Sequence, residues 1–368
     1  MVKEDQRRDP DFALILVVLL LLGIGLVMVF SASYVVSEES FGDPYYYLRR
    51  QGIWIALGVA VMFLFSHVSY WHLRRLSLVL ILINFILLTL VFTGAGTSLG
   101  TEAKRWLAFG GLTLQPAEFS KLAFVIFTAA YMSSRSIRIQ KFWSSSFIPL
   151  ALLGVAFVFI VLQPDLGTAL VLAANTFLII LLAGMPLKQA VALSVFSIPP
   201  LLAVAFKEEY RRQRLLSFLN PWADPGDTGY QIIQSLYALG PGHIFGVGLG
   251  RSRQKLYYLP EPHNDFIFAV IGEELGFVGA VVVLLLFFVL IWRGLKIALT
   301  APDTFGSLLA AGITGMIAIQ ALVNIAVVTG SLPVTGINLP LISAGGSSVV
   351  FTLMGVGILL NISRHCRQ

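Results

Sequence analysis

The chain has 368 residues, 57% of them hydrophobic and 12% charged, with a mean hydropathy of +0.85 and a net charge of +6. No water-soluble domain of this length hides so much apolar surface, so the composition excludes one and makes the bilayer the main solvent. The basic residues stand singly between apolar runs, which argues against nucleic acid. The single cysteine, Cys366, excludes a disulfide framework and a thiol metal cage.

Ten apolar runs are long enough to cross a bilayer core, which needs about 20 residues. They fall near 12–34, 48–66, 73–94, 116–132, 146–163, 165–183, 187–206, 266–292, 304–329 and 345–362. The first follows Lys3, Arg7 and Arg8 and ends near Ser31-Ala32-Ser33, a pattern shared with secretory leaders. Its apolar core exceeds the roughly 7–15 residues of a leader, so it reads as a retained span. Backbone groups in lipid must be satisfied within the segment, and nothing alternates with period two. The expectation is an all-α integral membrane protein, one polytopic domain over residues 1–368.

Arginine and lysine set the orientation. Lys3, Arg7, Arg8, Arg74, Arg75, Arg135, Arg138, Lys141, Lys188, Arg293, Lys296, Arg364 and Arg367 share one side. Short loops on the other side hold Arg49, Arg50, Lys104 and Arg105. Both termini are therefore expected in the cytoplasm. Segment 207–265 is then an extracytoplasmic loop, too long to be merely connective. It carries the turn-rich stretch 220–229, and Tyr230–Leu239 suits a short helix at the membrane surface.

Ionisable residues within or beside spans are functional candidates, because an Asp at a helix centre costs about 2.5–3.5 kcal/mol. Asp265 opens the eighth span, with Glu273 and Glu274 about 12 Å deeper on a straight helix. Gly272, Gly276 and Gly279 share its face and would admit a neighbouring helix closely. Asp265 reads equally as a general base or as a cap on the helix amides, and the two roles are compatible. Glu118 and Lys121 lie one turn apart on the fourth span, where Pro116 suits the first turn. They read as a buried packing pair or as the wall of a polar cavity. Asp165, in the turn Gln163-Pro164-Asp165-Leu166-Gly167, reads first as a helix cap beside a kink.

Lys104-Arg105-Trp106 suits an interfacial anchor or the docking of an anionic head group. Arg211, Arg212, Arg214, Arg251, Arg253 and Lys255 extend this basic surface, which favours an anionic ligand. His243 and His263 lack partners at metal-ligand spacing. Gly246–Gly250 follows no strand and is no dinucleotide loop. Residues 333–348 read as an irregular re-entrant stretch whose amides could hold an anion or pack tightly.

At these residues the chain resembles the SEDS family (shape, elongation, division and sporulation). The matching pieces are Lys104-Arg105-Trp106, Gln115–Lys121, Gln163–Thr168, Pro260-Glu261-Pro262-His263-Asn264-Asp265 with Glu273–Gly276, and Pro333–Ser348. The family's late motif usually reads Ser-Tyr-Gly-Gly-Ser-Ser; here Ala344 replaces the tyrosine. The wording around Asp265 and Pro333-Val334-Thr335-Gly336 favours the division and sporulation branch.

The resemblance implies a peptidoglycan glycosyltransferase of the bacterial cytoplasmic membrane that polymerises lipid II on its outer face. It implies a class B penicillin-binding protein as partner and Asp265 as the essential carboxylate. An α-linked diphosphate donor and a β-1,4 product require one inverting displacement, for which a single base suffices. The departing diphosphate needs charge neutralisation, expected from Lys104, Arg105, Arg212, Arg251 and Lys255, with room for a divalent cation (Mg or Mn). Glu118, Lys121, Ser347 and Ser348 are expected to bind substrate or line the cavity, and Asp165, Glu273 and Glu274 to hold the structure. Two other readings stay open: a lipid II flippase, and a non-catalytic scaffold for the transpeptidase.

Overall fold

The fold was analysed in a computed structural model, which describes residues 9–98, 103–109, 112–134, 146–256 and 258–366. Each of the ten expected spans is a helix. They are α1 (Phe12–Phe41), α2 (Tyr46–His67), α3 (Tyr70–Leu90), α4 (Pro116–Met132) and α5 (Phe147–Leu162), then α6 (Leu166–Leu182) and α7 (Leu187–Lys207), and finally α10 (Ile267–Thr300), α11 (Thr304–Val328) and α12 (Gly346–Ser363). Seven of them are long and apolar enough to cross a membrane; α4, α5 and α6 are shorter. In segment 207–265 lie α8 (Glu209–Leu219) and α9 (Tyr230–Leu239). The second falls on the stretch expected to form a short helix; the first was not anticipated. Gly96–Thr97 (β1), Trp106–Phe109 (β2) and Leu112–Leu114 (β3) form a small antiparallel sheet.

Local chemistry sets the helix ends. Asp11 caps α1 by accepting from Leu14 N (3.0 Å), Asp303 caps α11 by accepting from Gly306 N (2.9 Å), and Gly42 ends α1 in the left-handed region at φ 66°. α4 is buried along nearly its whole length and α12 is likewise enclosed, so these two helices and α11 form the centre of the bundle. α2 packs along α12, where Gly357 lets the helix approach the Met62 carbonyl; a Cβ there would lie 2.4 Å from that oxygen. α7 is the opposite case: only Ala190 is buried, and its apolar side chains face outward.

One end of the bundle is tied by polar side chains. Arg293 Nε and Nη2 donate to Asp11 Oδ2 (2.8 and 2.5 Å), and Asp11 N donates to Ser363 Oγ (3.2 Å). Tyr70 OH and Trp71 Nε1 donate to Asp303 (2.5 and 3.0 Å), and Asn361 bridges Tyr70 N and the Ser66 carbonyl. Of the residues used to orient the chain, Lys3, Arg7, Arg8, Arg135, Arg138, Lys141 and Arg367 lie outside the described residues.

The expectation of one straight eighth span is corrected. α10 is broken at Gly276 (φ 67°, ψ −165°), a conformation suited to glycine. The loop after α9 is spliced into the break. Val247 N and Gly248 N donate to the Glu273 and Glu274 carbonyls (2.9 and 3.1 Å), while Phe277 N and Val278 N donate to the His243 and Ile244 carbonyls (2.9 and 3.1 Å). Four of the backbone groups that the break would orphan thus find loop partners. The glycine face receives a loop at Gly276 and the end of helix α9 at Gly272: a Cβ at Gly276 would lie 2.3 Å from Gly246 N, and one at Gly272 would meet Leu239 of α9 at 2.5 Å.

Partners of the two glutamates show which end of the bundle they occupy. Ser31 Oγ donates to Glu274 (2.7 Å), and Ser31 lies twenty residues, about 30 Å, along α1 from Asp11 at the tied end. That is the full thickness of a bilayer core. Glu273 and Glu274 therefore stand toward the rim of the bundle away from the tied end.

Candidate active site

At the same rim a cleft of about 380 Å³ opens among α2, the sheet, the start of α4, the 163–165 turn, segment 261–265 and segment 336–348. From α2 come Tyr47, Arg50, Gln51 and Trp54, at spacing i, i+3, i+4 and i+7, which is one face of a helix. Arg50 Nη2 donates to Thr113 Oγ1 (3.1 Å), leaving most of its donors for the cleft. Gln51 Nε2 donates to the Ser343 carbonyl (3.2 Å) and so fixes the re-entrant stretch against α2.

Asp265 lines this cleft. The capping alternative does not hold: α10 has Phe266 at its N-cap position and no side-chain cap bond. No described residue donates a hydrogen bond to the carboxylate, which leaves both oxygens for a ligand. The walls of the cleft enclose the group, and this desolvation pushes its pKa up to about 7; Glu261 adds to the rise, while Arg214 and Arg105 oppose it. Gly336, at φ 70°, lies beside it, so that a Cβ there would sit 3.4 Å from Asp265 Oδ2.

The backbone around Asp265 is clamped. Asn324 Nδ2 donates to the Asp265 carbonyl (2.7 Å), Ser343 Oγ to the Asn264 carbonyl (2.6 Å), and Ala344 N to the His263 carbonyl (2.9 Å). The His263 ring packs on Tyr47 with centroids 4.4 Å apart, and its burial lowers its pKa.

The other expected site residues divide. Arg105 lines the cleft, but its Nε and Nη2 donate to the Gln163 and Pro164 carbonyls (3.0 and 2.6 Å), so it also holds the 163–165 turn. Asp165 caps α6 by accepting from Thr168 N (3.0 Å), accepts from Gln115 Nε2 (3.1 Å), and lines the cleft as well. Ser347 and Ser348 line it at the start of α12. The Ser347 hydroxyl is engaged structurally, donating to the Thr113 carbonyl (3.1 Å) and accepting from Gln115 N (3.0 Å).

Glu118 and Lys121 do not line the cleft. They form a buried pair (2.8 Å) one layer below it, where Lys121 Nζ donates to Gln320 Oε1 (2.5 Å) and Gln320 Nε2 to the Asn338 carbonyl (3.0 Å). An ammonium at that depth needs such partners, which explains its withdrawal from the cavity. Lys104 and Arg251 are exposed and outside the lining, and Arg212 pairs with Glu209 (2.6 Å) on the surface. Lys255 is the largest correction. It is 2% exposed and locked to Glu274 (2.7 Å) and Ser31 Oγ (3.0 Å). Glu274 also accepts from Gly250 N and Ser252 N, and Glu273 from Ser252 Oγ and Arg253 N. Both glutamates are engaged in this network and lie outside the cleft lining. Sequence reasoning missed Arg50, Gln51, Trp54 and Asn338; the polar and aromatic face of α2 was the available signal for the first three.

No group of three or more His, Cys, Asp or Glu side chains among the described residues could hold a metal ion. Donors of the described residues alone thus build no cage for a divalent cation.

Helical build, membrane-spanning apolar helices and a carboxylate-bearing cleft at one rim define a multi-pass membrane protein with a polar site at its surface. A family model described as a cell cycle protein, spanning FtsW, RodA and SpoVE, matches residues 12–368, and the chain belongs to that family. It is a protein of the cytoplasmic membrane. Stage V sporulation protein E of Bacillus subtilis is 46% identical over 363 residues, covering 98% of this chain and 99% of the relative. The probable peptidoglycan glycosyltransferase FtsW of Geobacter metallireducens is 42% identical over 367 residues, covering 100% and 97%. Among solved structures, a chain of a peptidoglycan synthase complex that coordinates polymerization and crosslinking superposes with a TM-score of 0.80 at 32% identity, covering 96% of this chain and 98% of its own. The rod shape determining protein RodA of Thermus thermophilus does so at 0.72 and 30%, covering 98% of each chain.

Proposed function

We propose that the chain is a peptidoglycan glycosyltransferase that polymerises lipid II at the outer face of the membrane, with Asp265 as general base. The observation that carries this reading is a carboxylate in a cleft, accepting no hydrogen bond from the described residues and with its pKa raised by enclosure to about 7, in a chain of this family. With both termini in the cytoplasm, the cleft faces outward, where the lipid-linked sugar would be presented.

In the reaction the acceptor 4-hydroxyl gives its proton to Asp265 as its oxygen attacks C1 of the donor. The C1–O bond to the diphosphate breaks with its electron pair leaving on the diphosphate, and the new linkage is inverted. The base needs a pKa near the working pH to take a proton during attack, and the enclosure of Asp265 supplies it. Arg50 and Arg105 are the cations in the cleft and are placed to meet the developing negative charge. Mg²⁺ is held by one or two carboxylates together with substrate phosphates more often than by a protein cage. Asp165, Glu261 and Asp265 are the carboxylates in the lining from which a ligand to such an ion would come, and no step here depends on it. A class B penicillin-binding protein would supply the crosslinking activity.

The deciding experiment is glycan-strand synthesis from lipid II by the purified chain with its transpeptidase partner. Asp265→Asn keeps the shape and removes the base, and should lower turnover by at least 10²–10⁴-fold while the complex still assembles. Undiminished polymerisation by Asp265→Asn refutes the base. Lipid II transport without any polymer from the wild type would favour the flippase, and a complex without either activity the scaffold.

A further inference from the structure

Asn324 is the buried side chain that touches the backbone of the base. It lies on α11, is 1% exposed, and donates from one nitrogen to two carbonyls, those of Asp265 and Ile337, both at 2.7 Å. Because both contacts are carbonyl oxygens, only the amide nitrogen can face them, which settles the orientation of the side chain chemically. Ile337 lies in the re-entrant stretch, between Gly336 and Asn338, which line the cleft. One amide therefore pins the segment carrying the base to the adjoining segment of the cleft wall, and anchors both to a central helix.

We propose that Asn324 is a positioning residue for the reaction: it sets the register of Asp265 against Gly336 and Asn338 and so the place of the carboxylate in the cleft. The inference rests on the glycosyltransferase reading for its kinetic arm alone. The other contacts on this segment, from Ser343 Oγ and Ala344 N, reach residues 264 and 263 and leave the Asp265 carbonyl to Asn324. A displacement near 1 Å at a reacting group costs up to about 10²-fold in rate. A substrate bound by the remaining walls would keep its affinity.

The test compares Asn324→Leu, which keeps the shape and deletes the donor, with Asn361→Leu. Asn361 is also a buried amide on two backbone groups, Tyr70 N and the Ser66 carbonyl, but at the opposite end of the bundle. Asn324→Leu should lower kcat for lipid II polymerisation roughly 10–100-fold with KM changed less than about twofold. Its acid limb should move to lower pH as the carboxylate gains solvent. Hydrogen exchange of residues 261–268 should rise at least about tenfold. Asn361→Leu should show none of these per folded molecule. The proposal is overturned if exchange and kcat in Asn324→Leu match the wild type, or if both variants lose turnover equally. A wild type inactive on lipid II, with faster exchange in Asn324→Leu alone, would remove the polymerase reading and leave the mount standing.

Discussion

The pH dependence of turnover tests the site most directly. A carboxylate acting as base must be ionised, so activity is lost as pH falls through its pKa. With that pKa at about 7, turnover should be half-maximal near pH 7, roughly one-tenth at pH 6 and roughly one-hundredth at pH 5. An ordinary aspartate, at 3.8, would remain more than about nine-tenths ionised at pH 5. The two cases differ nearly a hundredfold at pH 5. The assay is the initial rate of lipid II polymerisation at saturating substrate from pH 5 to 8.5, with folded fraction checked at each pH. The causes of the shift can be tested separately. Glu261→Gln removes the carboxylate that raises the pKa and should move the limb to lower pH. Arg214→Gln removes an opposing cation and should move it higher. A flat profile down to pH 5, or a limb moved upward by Glu261→Gln, would refute the assignment of the limb to Asp265.

Two further predictions concern residues whose roles the tertiary structure reassigned. Lys255→Met leaves Glu274 buried without its ammonium and should destabilise the fold by about 3–5 kcal/mol in a denaturant titration in mixed micelles. Lys255→Met with Glu274→Gln should recover much of that loss, and a double variant no better than the single would sink the lock. Arg50→Ala should reduce kcat/KM by about 10–150-fold if each charge-assisted contact to the diphosphate contributes about 1.5–3 kcal/mol. Lys104→Ala and Arg251→Ala, both outside the cleft, should stay within about twofold of wild type in the same assay.

The apolar runs alone specified ten helices, because in lipid no other local structure satisfies the backbone, and the structure alters their ends by only a few residues in most cases. Asp265 was legible for a related reason: a carboxylate at a span's mouth is costly enough to demand a use. What the sequence could not convey was which charges face one another. Lys255 and Arg50 look alike in the chain, each a cation assigned to the outer side. Only the tertiary structure sends Lys255 into a lock on Glu274 and Ser31, from chain segments far apart, and opens Arg50 to the cleft. The same holds for Gly276. Its face suggested a helix seam, yet the break there becomes tolerable only once the 243–248 loop supplies hydrogen bonds that no local pattern encodes. Helix existence follows from the solvent each residue must meet. The composition of the site follows from which distant groups satisfy one another's buried charges and amides, and that is settled only when the chain is folded.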